Sequence, residues 1–204
     1  MSFTIIDYSG LKSAIGSFMS RSDIAATADD LIGLTEGYLN VELRCREMEA
    51  KTDLTPTDNV CTLPTDYLEY KRVVELASIR RKLEYITEDA ADGLYPTRCS
   101  GLAVHFTIIG DELTALPLSA NDIELTYYRK IPALSDTNTT NWLLTRLPNL
   151  YLHGCLFHAA ELTRNTEKMA TEGALVEKYI ASLTGLDNRA KFGNAGVTLT
   201  GNVW

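Results

Sequence analysis

The sequence contains none of the short motifs that identify the commonest classes of enzyme. The glycine-rich phosphate-binding patterns GxxxxGKS/T and GxGxxG are absent, and so are HExxH, GxSxG and CxxC. Calcium-binding loops with acids at alternate positions are missing as well. These absences argue against motif-bearing nucleotide-binding proteins, zinc proteases, serine hydrolases and thiol oxidoreductases. They predict a protein that has no catalytic residues, no cofactor and no bound metal.

Cysteine and histidine, the usual zinc ligands, are scarce. The chain of 204 residues has three histidines, and its four cysteines lie at positions 45, 61, 99 and 155. Cysteines spaced so widely form no zinc knuckle or redox pair and are typical of free thiols in a reducing cytoplasm. His105 lies in a predicted strand with no nucleophile beside it, so we predict no catalytic role for it.

Long hydrophobic runs are also absent. The most apolar stretch, residues 140–162 (TNWLLTRLPNLYLHGCLFHAAEL), is interrupted by Pro148, Asn149, His153 and His158, which argues against a membrane helix. Its two histidines are five residues apart, which separates them by more than about 100° around a helix, a poor geometry for a shared metal. The N-terminus has no small-residue cleavage site after an apolar core, which predicts no signal peptide. The stretch is therefore predicted to be a buried packing helix.

Basic residues are too few for a protein that wraps nucleic acid. Nineteen lysines and arginines are outnumbered by 27 acids, giving a net charge of −8, and such a chain repels phosphate. This charge does not exclude a protein that lets DNA pass without holding it. The acids are dispersed along the chain, and no pair is singled out for acid–base catalysis.

Helical periodicity is clear in the first third of the chain. A short helix is predicted from about Leu11, followed by a long helix that is capped by Ser22 or Asp23 and continues to about Lys51. The apolar residues of the long helix recur every three or four positions, and its acids precede its bases, the order that a helix dipole favours.

Turn residues and β-rich segments occupy the middle of the chain. β-rich arms on either side of Gly110-Asp111 predict a hairpin, and Thr87 is placed to cap one helical turn. Helix returns with residues 140–162, where Pro148 fits a first-turn position, and a second helix is predicted to end near Gly185. The last residues are rich in Gly, Asn and Thr with isolated apolar side chains, which predicts an arm that docks on a partner.

These elements predict an α+β fold. We expect a helical bundle, made of a long N-terminal helix and C-terminal helices, with an inserted small antiparallel β-rich domain and an extended C-terminal arm. The predicted boundaries are residues 1–51 for the N-terminal helices, 52–135 for the β-rich domain, 136–185 for the C-terminal helices and 186–204 for the arm.

The order of these pieces resembles one family of virion proteins. The most telling segments are LRCREME (residues 43–49), LPTDYLE (63–69), YYRKIPALSDTNTTNWLL (127–144) and LPNLYLHGCLFHAAEL (147–162). In this order and spacing they are similar to the head-to-tail adaptor proteins of tailed bacteriophages, also called head-completion or connector proteins. The similarity extends from about residue 21 to about residue 183.

The resemblance implies a structural protein of the virion that is made in the host cytoplasm. Such adaptors form a ring, generally twelvefold, below the portal protein, and they provide the platform for the tail tube or nozzle. Double-stranded DNA passes through the ring without specific binding. The C-terminal arm commonly grips the portal. The candidate anchors in that arm are Phe192, Val197, Leu199 and Trp204.

Charge selects two further groups of candidate residues. Alternating charges at the end of the long helix suit polar contacts with a neighbouring subunit. These interface candidates are Arg44, Arg46, Glu47 and Glu49. Acids of the helical part suit a negative channel that repels DNA. These lumen candidates are Asp29, Asp30 and Glu36.

Two other classes of function stay open at this point. A tail-associated hydrolase of cell-wall or saccharide substrates would need a cleft with two facing carboxylates, one of them with a raised pKa. A small partner-binding module would use the arm to capture a peptide or a domain. The mass of the assembled protein separates a ring from either alternative.

Overall fold

The computed structural model describes residues 5–19 and 27–192, with side chains described up to residue 187. The chain forms two compact units. Unit 2 comprises Met48–Lys130, and unit 1 comprises the described residues on either side of it.

The described residues form six α-helices and eight strands. The helices are α1 (Tyr8–Met19), α2 (Ala28–Glu42), α3 (Glu88–Leu94), α4 (Trp142–Arg146), α5 (Pro148–Leu162) and α6 (Thr166–Phe192). A 3-10 turn occupies Arg46–Met48. The strands are β1 (Glu49–Leu54), β2 (Val60–Thr62), β3 (Tyr67–Glu75), β4 (Arg81–Lys82), β5 (Glu84–Tyr85), β6 (His105–Ile109), β7 (Glu112–Leu116) and β8 (Ile123–Arg129).

Unit 1 is organised around α5. This helix packs against α1, α2, α4 and α6, and its buried residues lie on all of its sides because Leu150, Tyr151 and Leu152 are consecutive and all buried. The prediction that this stretch is a buried packing helix is therefore confirmed. Pro148 occupies the first turn of α5 as predicted, where its missing N–H leaves no hydrogen bond unmade.

Unit 2 contains two four-stranded sheets. One has the order β1-β8-β3-β4 and the other the order β2-β7-β6-β5. All the strand pairs are antiparallel except β5 with β6, which is parallel. Residues from both sheets form one hydrophobic core, in which Val73 and Leu125 of the first sheet join Phe106 and Leu113 of the second.

Two local predictions for unit 2 are confirmed. β6 and β7 form the predicted hairpin, and Gly110 at its turn has a φ of 58°, a conformation that glycine adopts without strain. The Thr87 side chain accepts a hydrogen bond from the backbone N–H of Ala90, which caps α3.

The predicted long N-terminal helix is wrong. Its proposed caps, Ser22 and Asp23, lie outside the described residues, and α2 ends at Glu42, after which Leu43 has extended backbone angles. The end of the predicted helix forms β1 instead, because Glu49–Leu54 pairs with β8 along its whole length. The periodicity of residues 43–51 is a local signal, and pairing with a strand more than 70 positions later in the chain overrides it.

The predicted helical bundle is likewise wrong. The fold is α+β, but two four-stranded sheets make its strand content substantial, and residues 5–19 and 27–51 contain no long helix that could support a bundle. The longest helix is the C-terminal α6, which continues past the predicted end at Gly185 to Phe192. No atom of the described residues lies within 4 Å of the position that a Cβ of Gly185 would occupy, and a single glycine with such space around it weakens a helix without ending it.

Candidate functional site

The inner face of α2 carries a buried carboxylate. Glu36 is 7% exposed, and its Oε1 accepts hydrogen bonds from the N–H of Leu134 at 2.9 Å and from the hydroxyl of Tyr151 at 3.0 Å. The amide of Asn141 donates to the same hydroxyl at 2.7 Å. Burial raises the pKa of Glu36 above its ordinary value, and the two hydrogen bonds offset this only in part.

A carboxyl group with a raised pKa is one sign of a catalytic acid, but the geometry around Glu36 gives it nothing to act on. Its partners are a backbone N–H and a tyrosine hydroxyl whose pKa is raised by burial, and neither is a second carboxylate. Glu36, a predicted lumen residue, therefore lies inside unit 1 and ties α2 to α5 and to Leu134.

Replacing Glu36 by glutamine is expected to change how stability depends on pH. Because the pKa is raised in the folded state, the native protein loses stability as the pH rises through that pKa. The glutamine of Glu36→Gln stays neutral at every pH. The stability of this variant relative to the native protein should therefore be higher at pH 7 than at pH 4. Urea unfolding at both pH values measures this difference. Glu42→Gln, which removes an exposed charge from the same helix, is the control, and a pH-independent difference for Glu36→Gln would contradict the assignment.

The outer face of α2 is apolar and exposed. Leu34 is 57% exposed, Tyr38 37% and Val41 72%, and intervals of four and three place them on one side of the helix. Gly33 and Gly37 lie beside them, and no atom of the described residues lies within 4 Å of the position that a Cβ would occupy at either glycine. We name Gly33, Leu34, Gly37, Tyr38 and Val41 the α2 stripe.

The sequence does not predict the α2 stripe, although it carries a signal for it. Leu34 and Tyr38 fit the helical periodicity, which does not show whether they are buried or exposed, and the core side of α2 is formed by Leu31, Ile32 and Leu39. The signal was that apolar residues occur on two sides of this helix, which is more than one buried face requires.

The two predicted basic interface residues both make contacts within unit 1. The guanidinium of Arg44 donates to the backbone carbonyls of Asn40 at 2.8 Å and Leu43 at 2.6 Å, at the C-terminus of α2. The backbone N–H of Arg46 donates to the carboxylate of Asp187 on α6 at 3.1 Å. Cations at a helix C-terminus are stabilising, so these contacts give Arg44 a role within the subunit.

The two predicted acidic interface residues form ion pairs. Glu47 pairs with Arg146 at the end of α4, and Glu49, at the start of β1 in unit 2, pairs with Lys71 of β3 at 2.5 Å. A role of either acid in contacts between subunits stays a prediction.

The remaining lumen candidates lie at the N-terminus of α2. Asp29 accepts a hydrogen bond from the hydroxyl of Tyr8 at 2.9 Å and forms an ion pair with Lys12 at 3.1 Å. The hydrogen bond from Tyr8 and then that from Lys12 lower the pKa of Asp29. Asp30 is exposed. Asp29 is thus partly neutralised within unit 1, whereas Asp30 presents its charge to the surroundings.

The predicted portal-docking residues lie at the end of the chain. Phe192 is the last residue of α6. Val197, Leu199 and Trp204 lie outside the described residues.

The histidines of α5 are paired with nearby groups rather than with each other. His153 Nδ1 lies 2.7 Å from the carboxylate of Glu172, and its ring stacks on Tyr179, which joins α5 to α6. His158 contacts the edge of the Tyr38 ring. Across residues 5–19 and 27–192, no group of three or more His, Cys, Asp or Glu side chains is arranged to hold a metal ion.

The cysteines are free, and Cys99 is exposed whereas Cys45, Cys61 and Cys155 are buried. Burial raises the pKa of the Cys155 thiol to about 12. Since the thiolate is the reactive form of cysteine, this residue is unreactive at neutral pH.

A second buried carboxylate lies at the end of β3 in unit 2. Glu75 is fully buried, and its Oε1 accepts hydrogen bonds from the N–H of Ala103 at 3.2 Å, the hydroxyl of Ser119 at 2.5 Å and the amide of Asn121 at 3.0 Å. Ala103 precedes β6 and Ser119 follows β7, so this one carboxylate links the first sheet to two loops of the second. Its role is structural.

Within the described residues, no helix is both long and apolar enough to cross a membrane.

Comparison with known proteins agrees with a structural role. A family model described as SU10 adaptor protein matches residues 6–198, nearly the whole chain. No curated protein matches the chain. The match confirms the resemblance to phage head-to-tail adaptors, a family of virion proteins that interact with portal and tail components. The chain therefore belongs to the SU10 adaptor protein family.

Proposed function

We propose that the chain forms a ring, generally twelvefold in this class of protein, between the portal above and the tail tube or nozzle below. The family match over residues 6–198 is the observation that carries this proposal. The exposed α2 stripe supports it, because apolar residues clustered on one exposed face are characteristic of a surface that meets another protein.

The ring would line the channel through which DNA passes. A net charge of −8 supports this, since an acidic wall repels phosphate and does not retain the DNA. Asp30, exposed at the N-terminus of α2, is the candidate whose position best suits a lumen residue. Asp29 contributes less because of its ion pair with Lys12.

We propose that the C-terminal segment anchors each subunit to the portal. It contains Val197, Leu199 and Trp204, apolar residues separated by polar ones, and burial of such side chains would supply the free energy of docking. Because α6 continues to Phe192, the segment that can be removed without cutting this helix is residues 193–204.

Removing residues 193–204 is expected to abolish portal binding and to leave the subunit folded. Mass photometry of the portal ring should show the addition of about one full-length subunit per portal subunit and no addition of the truncated chain. Circular dichroism checks that the truncated chain keeps its fold.

A triple variant separates loss of the anchors from loss of chain length. Val197→Ser, Leu199→Ser and Trp204→Ser together keep the length and should weaken binding nearly as much as the truncation. If the truncated chain binds the portal as well as the full chain does, the arm is not the anchor. If neither form binds and both remain monomeric, the adaptor ring itself is refuted for this chain.

A further inference from the structure

We propose that the α2 stripe of one subunit packs against the outer face of α6 in the next subunit, so that one type of contact, repeated, closes the ring. This inference rests on the ring of the proposed function and adds to it the two surfaces that meet.

The α2 stripe has the composition of a helix–helix contact. Leu34, Tyr38 and Val41 project from one face and are exposed in the subunit. Gly33 and Gly37 each destabilise the interior of a helix by about 0.5–1 kcal/mol relative to alanine, and packing within the described residues does not require either of them. Close approach of a helix from another chain would require both.

The outer face of α6 is a groove, whereas large side chains project from the α2 stripe. Lys178, Ala181, Ser182, Gly185 and Leu186 line a shallow groove along this helix, and their spacing places them on one face. The core side of α6 is formed by other residues. Because Ala181, Ser182 and Gly185 are small, the groove can accept the large side chains of the α2 stripe. We name these five residues the α6 groove.

The charges of the two surfaces are complementary. Of the four acidic residues of α2, which has no basic one, Glu36 is buried and Asp29 is paired with Lys12. Glu42 lies at the C-terminal end of the α2 stripe, and Asp30, the lumen candidate, lies before its N-terminal end, outside the stripe. Lys178 lies in the α6 groove. None of Asp30, Glu42 and Lys178 forms an ion pair within the part of the chain that the structure describes.

Charge also selects between two ways of pairing subunits. A two-fold contact of one α2 stripe with another would bring acidic helices together, and like charges across an interface are unfavourable. A contact of the α2 stripe with the α6 groove brings opposite charges together and joins different surfaces head to tail. Contacts between different surfaces generate rings when they close, and the α2 stripe and the α6 groove lie on two different helices of the subunit, both of which pack against α5.

Cysteine crosslinking tests this contact in the full-length protein. In a Cys99→Ser background, which removes the exposed native thiol, Val41→Cys places a thiol on the α2 stripe and Ser182→Cys places one in the α6 groove. A bismaleimide longer than one helical turn, about 5.4 Å, tolerates a small difference in register. The reaction is run on the protein alone at high concentration and on the protein bound to the portal ring of its phage.

The double variant is expected to form a ladder of covalent oligomers on a denaturing gel. Each single variant should remain monomeric, and an equal mixture of the two single variants should stop at dimers, because each subunit then carries only one of the two introduced thiols and can be joined to only one neighbour. The control replaces Ser182→Cys with Thr184→Cys, which is exposed on another side of α6 and should lose the ladder.

The other outcomes separate this inference from the proposed function. If mass photometry shows a ring but the ladder is absent, or Val41→Cys alone forms dimers, the ring stands and the contact assigned to it is overturned. If no oligomer forms under either condition, the ring and the contact fail together.

Discussion

Replacing Glu75 by leucine is expected to lower the free energy of unfolding of unit 2 by about 3 kcal/mol. The change removes the acceptor of three hydrogen bonds in a fully buried place, and each buried donor left without an acceptor costs about 1–3 kcal/mol. Ser119 and Asn121 can turn towards other partners, whereas the N–H of Ala103 is fixed by the backbone. Urea unfolding followed by far-ultraviolet circular dichroism, with hydrogen exchange of β6 and β7, measures the loss.

Two further variants show whether the hydrogen bonds are the cause. Glu112→Leu makes the same substitution at an exposed position of β7 and should change stability by less than about 0.5 kcal/mol. Glu75→Gln keeps an acceptor at the position of Oε1 and should be much milder than Glu75→Leu. Equal effects of Glu75→Leu and Glu112→Leu would show that the linked loops contribute nothing to stability.

The same carboxylate is expected to make unit 2 sensitive to acid. Burial alone would raise the pKa of Glu75, but the hydrogen bonds from Ser119, Asn121 and Ala103, together with the charge of Arg81, outweigh burial and lower it. A carboxyl group whose pKa is lowered by folding stabilises the protein above its ordinary pKa, and this contribution is lost as the pH falls. The native protein should therefore lose more stability than Glu75→Gln between about pH 5 and pH 3.

Replacing Gly154 by alanine is expected to lower the free energy of unfolding of unit 1 by about 1–3 kcal/mol. Gly154 lies on α5 where it crosses α2, and a Cβ at this position would lie 2.5 Å from the Cγ2 methyl of Thr35. Because Thr35 is β-branched and donates a hydrogen bond to the carbonyl of Leu31, its methyl group cannot easily turn away. The helices must separate instead, and urea unfolding followed by the fluorescence of Trp142 in α4 would record the loss.

Two variants identify the clash as the cause. Gly37→Ala makes the same change on α2, where no described atom lies within 4 Å of the new Cβ, and it should stabilise the isolated subunit by about 0.5–1 kcal/mol. Thr35→Ser removes the opposing methyl group and keeps the hydroxyl, so it should restore most of the stability of Gly154→Ala. If Thr35→Ser does not rescue Gly154→Ala, the close approach of α2 and α5 is not what Gly154 permits.

Turns and helix ends could be predicted from the sequence where a single residue determines them. Gly110 at a turn, Thr87 before a short helix and Pro148 in a first turn each act within a few positions of themselves, and all three are confirmed. The burial of α5 followed from its composition, which leaves no polar face.

The errors arose where distant contacts decide the structure. The order of apolar and polar residues in 49–54 is compatible with a helix or a strand. Pairing with β8, far along the chain, is what makes this segment a strand. The exposure of the α2 stripe could not be predicted, because periodicity gives the faces of a helix and not the side on which the core lies. The hydrogen-bond partners of Glu36 are at least 98 positions away along the chain, and those of Glu75 are at least 28 positions away. Neither role could therefore be predicted from spacing.

The pairing of β1 with β8 has a consequence for chain entropy. Unit 2 leaves unit 1 through β1 and returns to it through β8, and these strands are adjacent, with Glu49 opposite Tyr128. Neighbouring strands lie about 4.8 Å apart, so roughly 80 residues enter and leave through a gap no wider than a hairpin turn. Closing an unstructured loop of that length would cost about 3 kcal/mol more than closing a two-residue turn. Once unit 2 has folded, that difference disappears, and the two segments of unit 1 are held together as if a short turn joined them.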